Sequence, residues 1–242
     1  MRAKIVILFL LFASWGHAAP ANAKSAITQA SASGQFLALV FYDTQDASIT
    51  AMSSAIEAFN KLSTKKVSVY KAKMSDSASK EIAKKYGVLG TDLPIVLIIA
   101  PNGAITGGFP KAITDEQLKH SVGMSDLMLK TIKSLQEQKV ALIALQNSST
   151  KFNAESWAGV NEFANDTKYK ELVTAIKADP LAAGSQEFMK QCQLVSPLTE
   201  ATVVVLLPPG KIAKILNGKI TKEDILKSLQ TCSAGSGCCS GH

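Results

Sequence analysis

Arginine is almost missing from this chain: Arg2 is the only one. Every other permanent cation is lysine, a point charge without the planar fork that grips phosphates and guanine edges in pairs. The lysines are also scattered rather than gathered into a stripe. The formal net charge of +7 therefore describes a solvated surface, and no nucleic-acid partner is expected. Histidine is scarce too, with His17, His120 and His242 the full set. There is no His-x-x-x-His pair, no Ser-His-Asp pattern and no glycine-rich phosphate loop, which removes the common metallohydrolase, triad and nucleotide-binding readings. His120 falls near the end of a predicted helix, where the helix dipole favours a cation. The acidic pairs Asp115/Glu116 and Glu223/Asp224 fall in first helical turns, where acids are stabilised for the same reason. No catalytic residue is assigned, and the balance of features leans away from an enzyme.

Long hydrophobic runs are limited to one. Ile5–Trp15 is apolar, follows Arg2 and Lys4, and precedes the small-x-small triplet Ala21-Asn22-Ala23. This pattern predicts a signal peptide over residues 1–23, with a second candidate cut after Ala18. The run is shorter than the ~20 residues a membrane-spanning helix needs. No cysteine near the cut suggests a lipid anchor. The expectation is an exported protein without a membrane span after signal removal, periplasmic in a Gram-negative cell. Removing Arg2 and Lys4 lowers the net charge by two. The remaining chain is long enough for two domains.

Those two domains are visible as a weak internal repeat. Pro101-Asn102-Gly103-Ala104-Ile105 matches Pro208-Pro209-Gly210-Lys211-Ile212 at an offset of 107 residues, which also relates Thr114 to Thr221, Glu116 to Glu223 and Ser121 to Ser228. Upstream, VSVYKA (67–72) parallels VTAIKA (173–178), and ALVF (38–41) parallels ALIA (141–144). The offset drifts from 107 to 103 along the chain, as loop insertions would make it, and the self-similarity indicates two copies of one unit. Each copy opens with an unbroken apolar run, Phe36–Tyr42 or Val140–Leu145, that suits a strand buried on both faces. Apolar residues at helical spacing follow: Ile49, Met52, Ile56 and Phe59, then Trp157, Val160 and Phe163 in the second copy. A second strand, a second helix (Ser77–Tyr86; Ser185–Cys192), a third strand (Ile95–Ile99; Thr202–Leu207) and a hairpin to a fourth strand complete the series. Thr114 and Thr221 are predicted N-caps of the last helices, with Gln117 and Asp224 three residues on. The predicted order is β-α-β-α-β-β-α, with strands one to three mostly parallel. The last helix of the first copy is expected to run on through Ser125–Gln138 and join the copies. The expected divisions are 24–124 and 125–230, followed by a tail, 231–242.

SAITQASASGQFLALVFYD (25–43) and YGVLGTDLPIVLIIAPNGAITGGFP (86–110) resemble the entry and the third-strand region of exported thioredoxin-like domains. The resemblance implies an α/β fold of tandem thioredoxin-like domains, with mixed, mainly parallel central sheets flanked by helices. It also implies a cis bond before Pro94, and no cis bond before Ala201, which stands at that place in the second copy. The family's Cys-x-x-Cys does not carry over. Asp46 and Ile49 occupy its two positions, and the second copy has Asn147-Ser148-Ser149-Thr150-Lys151 there. Asp46 or Ser48 reads as a helix cap; the other reading is a binding surface formed by Asp46, Ser48 and Pro94.

Thiol chemistry is thereby pushed to the C-terminus. The chain has four cysteines, and three of them, Cys232, Cys238 and Cys239, fall in its last eleven residues, with His242 at the end. Gly, Ser and Ala around them supply no core, so a flexible segment is predicted. Thiolates with an imidazole suit zinc, and thiolates alone suit soft ions such as copper(I) or mercury(II). SGCCSGH is locally similar to the vicinal-cysteine C-terminus of mercuric reductases. Disulfides are the competing reading in an oxidising compartment, among Cys192, Cys232, Cys238 and Cys239; Cys192, beside Leu194 and Val195, reads as a buried structural thiol. The functional expectation is a redox-inactive scaffold or binding protein whose tail captures or delivers a soft metal ion. The alternatives are thiol-disulfide exchange through the tail, or a periplasmic chaperone or assembly factor. Its partner is expected to be an exported protein or a metal ion.

Overall fold

The computed structural model describes residues 19–230, and the two unbroken apolar runs are its central strands. The chain order is α1 (Ala23–Ala32), β1 (Phe36–Tyr42), α2 (Ala47–Leu62), β2 (Val67–Lys73), α3 (Ser77–Lys85), β3 (Ile95–Ile99), β4 (Ile105–Pro110) and α4 (Asp115–Gly123). The same series then repeats as α5 (Asp126–Gln136), β5 (Val140–Leu145), α6 (Asn153–Ala164), β6 (Val173–Ala178), α7 (Ala183–Gln191), β7 (Thr202–Leu207), β8 (Lys211–Asn217) and α8 (Lys222–Gln230). Each series makes one four-stranded sheet, ordered β2-β1-β3-β4 and β6-β5-β7-β8. Helices cover both faces of each sheet. In the first unit one face packs Ile49, Ile56 and Leu118 against β1 and β3, and the other packs Ala26, Ala30 and Ile82.

The sheets are mixed, but only β1–β2 and β5–β6 are parallel; β3 and β7 run antiparallel to the central strands. This corrects the mainly parallel sheet read from strand-helix alternation. Helix length is the reason. The 16 residues of α2 span about 24 Å, which matches the ~23 Å of a seven-residue strand, so α2 returns the chain to the start of the sheet. The nine residues of α3 span only about 14 Å. The chain therefore enters β3 beside the end of β1, with Ile95 opposite Phe41.

The repeat extends to irregularities. Register shifts fall at Ile98/Ile99 and at Val205/Leu206, and the turns after them hold Gly103 and Gly210 at φ +83° and +148°. Both predicted caps form. Thr114 and Gln117 make a reciprocal box on α4, and Thr221 and Asp224 do so on α8, with the Thr221 N–H donating to Asp224 Oδ2 at 3.0 Å.

The junction differs from the sequence reading. Helix α4 stops at Gly123, Met124 is extended, and Ser125 caps a new helix by accepting from the Met128 N–H at 3.3 Å. A serine hydroxyl that satisfies an orphan N–H starts a helix rather than continuing one. Helix α5 is thus the first helix of the second unit: it lies against β5, β6 and α7 as α1 lies against β1, β2 and α3. It also holds the first unit. Leu129 enters the first unit's core, while Leu127 and Leu135 enter the second's. Gln136 grips the edge of β4, accepting from the Ile105 N–H at 2.9 Å and donating to the Ile105 carbonyl at 2.8 Å.

Two substitutions test this packing. Gln136→Ala should speed hydrogen exchange at the Ile105 amide and lower stability by about 1 kcal/mol. Gly159→Ala should cost about 1–3 kcal/mol in denaturant unfolding, because a Cβ there would collide with the Ile220 carbonyl oxygen.

Candidate functional site

The candidate surface of the first unit lies at the C-terminal end of β1. Chain 43–46 leaves β1 there and turns into α2. Asp46 has extended backbone and its Oδ1 accepts from the Ile49 N–H at 3.2 Å, so it is the N-cap of α2. Ser48 is half-buried in the first turn, and Ile49 is fully buried in the core with Met52 and Ile56. The Leu93–Pro94 bond is cis. Because Ile95 faces Phe41, buried Pro94 lies level with Tyr42, at the sheet end where α2 begins. Its carbonyl accepts from the Lys111 N–H at 2.8 Å. The fold thus carries Asp46, Ser48 and Pro94 to one end of the sheet.

A central strand parallel to one neighbour and antiparallel to the other, a terminal hairpin, and a cis proline before the third strand decide the fold of this unit, and the second repeats its topology. Both units have the thioredoxin-like fold. No family model matches the chain, and no curated protein matches it. Among solved structures it is similar to the first two thioredoxin domains of Saccharomyces cerevisiae Eps1p, at 10% identity and a TM-score of 0.32, over 84% of this chain and 91% of that one. It is similar to the NTD_N/C domain of alkylhydroperoxide reductase AhpF from Enterococcus faecalis, at 16% identity and 0.30, over 85% and 98%. Human ERp44 in a zinc-bound form gives 11% and 0.34, over 88% and 59%. At such identities and scores the topology of this chain carries the assignment.

Neither thioredoxin-like domain holds a thiol at its helix start. In the first, the second cysteine position is Ile49, whose side chain is core. In the second, the corresponding turn is closed by its own polar groups. The Asn147 N–H donates to Thr150 Oγ1 at 2.9 Å, Asn153 Nδ2 donates to the Asn147 carbonyl at 2.6 Å, and Asn147 Nδ2 donates to Asp179 Oδ1 at 2.8 Å. Gln146 is buried beneath, with its carboxamide between the Asn153 carbonyl and the Lys177 ammonium. The Lys151 backbone is then stitched to the chain before β7: its N–H donates to the Thr199 carbonyl, and its carbonyl accepts from Ala201. Ala201 follows a non-cis bond; the second domain's cis bonds are Ser196–Pro197 and Pro208–Pro209. The polar spacing Asn147, Thr150, Asn153 was the sequence signal for this closed turn.

Cys192 caps the C-terminus of α7 at 7% exposure, packed with Phe188, Met189 and Leu198. It is a free thiol, and burial pushes its pKa up to about 11. A thiol that stays protonated at neutral pH is a poor nucleophile and a poor ligand. It lies on the α5/α7 face of the sheet, whereas α8 packs with α6 on the other. Cys232, Cys238, Cys239 and His242 lie outside the described residues. Among the described residues no group of three His, Cys, Asp or Glu side chains is placed to hold a metal, and no helix is long and apolar enough to cross a membrane. His120 is exposed on α4. Trp157 is half-buried, packed at the margin of the second domain's core.

Cys192 should resist maleimide at pH 7.5 in the native protein and react at once in denaturant, read as mass increments on a Cys232/Cys238/Cys239 triple-serine variant. Asp46→Ala should cost about 1 kcal/mol of stability through loss of the cap.

Proposed function

We propose that this is an exported, redox-inactive binding protein whose C-terminal thiols capture or deliver a soft metal ion. The observation that carries the reading is the fate of the two thioredoxin-like helix starts. One is an aspartate cap followed by a core isoleucine, and the other is a self-satisfied polar turn. With Cys192 buried and protonated, the remaining thiols are Cys232, Cys238 and Cys239, followed in the sequence by His242. Three thiolates and an imidazole match the preferences of copper(I), zinc(II) and mercury(II). The domains then serve as the body that presents the tail to a partner.

Native mass spectrometry of the exported protein tests this. Reduced thiols and a tight one-metal adduct with copper(I), zinc(II) or mercury(II), lost on deletion of residues 231–242, support metal capture. A mass lowered by the protons of a disulfide, with no adduct on any of the three ions, sinks it in favour of thiol-disulfide exchange or a structural staple.

Export also implies a cut, and the reading favours Ala18 over Ala23. Asn22 forms a capping box with Ser25, and Ala23 is 1% exposed in the first domain's core. A cut after Ala23 would remove both. Amino-terminal sequencing of the exported protein should therefore begin at Ala19; a start at Lys24 would contradict it.

A further inference from the structure

Each domain carries the same groove in the same place, between its first helix and its outer strand. In the first domain it is a cavity of about 300 Å³ walled by Ala26, Gln29 and Ala30 of α1 and by Ser68, Val69 and Tyr70 of β2. In the second the walls are Lys130, Lys133 and Ser134 of α5 with Glu137 just beyond it, Thr174, Ala175, Ile176 and Lys177 of β6, and Asn102 of the first domain, around about 420 Å³. A second opening of about 390 Å³ continues it along Ile176 and Lys177 toward the start of α7.

The floor of the second groove is an open strand edge. Among the described residues β6 pairs only with β5. The Val140 N–H donates to the Leu172 carbonyl and the Gln146 N–H to the Ala178 carbonyl. In a parallel ladder this parity turns Thr174 and Ile176 toward β5 and leaves the peptide groups of Val173, Ala175 and Lys177 facing outward. Their N–H and C=O groups form a template for one more strand.

Two observations point to what lies there. Ser134 is 2% exposed, and its hydroxyl, in the groove wall, has no hydrogen-bond partner. A buried hydroxyl without a partner costs free energy, and a turn of the Ser134 side chain toward the groove would let an incoming polar group recover it. The wall is also cationic. Lys133 and Lys139 share the single carboxylate of Glu137, and Lys130 makes no ion pair among the described residues. At the matching places α1 has Ala26, Gln29 and Ser33, all uncharged. The copies thus keep one groove shape and differ in its charge. At the α7 end the charge is balanced, since Asp126 and Asp179 line the second opening together with Lys130 and Lys177; Asp179 already accepts from Asn147 and from the Leu181 N–H.

We propose that the groove between α5 and β6 binds an extended acidic peptide segment of a partner protein as a fifth strand of the second sheet. The strand's outward peptide groups would hold its backbone, and Lys130 and Lys133 its carboxylates. This site is independent of the tail and of the metal reading.

The probe is an acetylated, amidated hexapeptide alternating valine and glutamate, titrated into the ¹⁵N-labelled protein. The expected result is saturable shifts at the Val173, Ala175 and Lys177 amides, with hydrogen-exchange protection of the same groups. Lys130→Glu should weaken binding about three- to tenfold. Ala175→Pro should abolish it while the fold persists, because proline is tolerated on an edge strand whose N–H faces outward. If that variant fails to fold, a peptide N-methylated at alternate residues removes the same hydrogen bonds from the other side. Equal binding of a valine-lysine hexapeptide overturns the proposal, as do shifts that map elsewhere or no binding at all. A wild-type dimer that Ala175→Pro converts to monomer, with no peptide bound, overturns it in favour of a second copy of the chain.

Discussion

Helix α5 is the constraint on which the rest of the structure depends. Its 11 residues bury apolar side chains in two directions, Leu129 into the first domain's core and Leu127 and Leu135 into the second's. A helix of that length is marginal alone and takes its stability from packing. Here it has two packing partners, so the linker of the repeat is also a structural member of both domains. Gln136 adds direction: its carboxamide matches the Ile105 peptide group as a neighbouring strand would, and so covers an edge that would otherwise be open.

Neither domain places a thiol at the helix start that follows its central strand. The sheet end that brings a helix start and a cis proline together is retained in the first domain, but the groups there are a cap, a half-buried serine and a core isoleucine. In the second domain the turn hydrogen-bonds to itself, and Lys151 bridges the space before β7. Each substitution is locally stabilising: a carboxylate that accepts from an orphan N–H, an isoleucine in an apolar layer, an asparagine-threonine turn with its polar atoms satisfied. The one described thiol is buried and held in its protonated form.

Much of this was legible beforehand, for identifiable reasons. Unbroken runs such as FLALVFY and VALIAL read as doubly buried strands because both faces of each residue pair must be apolar. Thr114/Gln117 and Thr221/Asp224 read as caps because the hydrogen bonds are local, three residues apart. The absence of Cys-x-x-Cys needed no coordinates. What misled was connectivity: strand-helix alternation suggested a parallel third strand, and an unbroken helical pattern across 115–138 suggested one helix. Both depend on where the chain must go next, which is set by the length of α3 against the sheet and by the hydroxyl of Ser125.

The sequence by itself determined the elements, the repeat and the absence of a Cys-x-x-Cys, because these follow from side-chain type and from interactions a few residues long. Only the tertiary structure decided that β3 runs backwards, that α5 belongs to two cores, that Cys192 faces away from α8, and that two matching grooves open beside β2 and β6. Those are relations between residues far apart in the chain. They are fixed by the closing of sheets and the burial of helix faces, which no local pattern encodes.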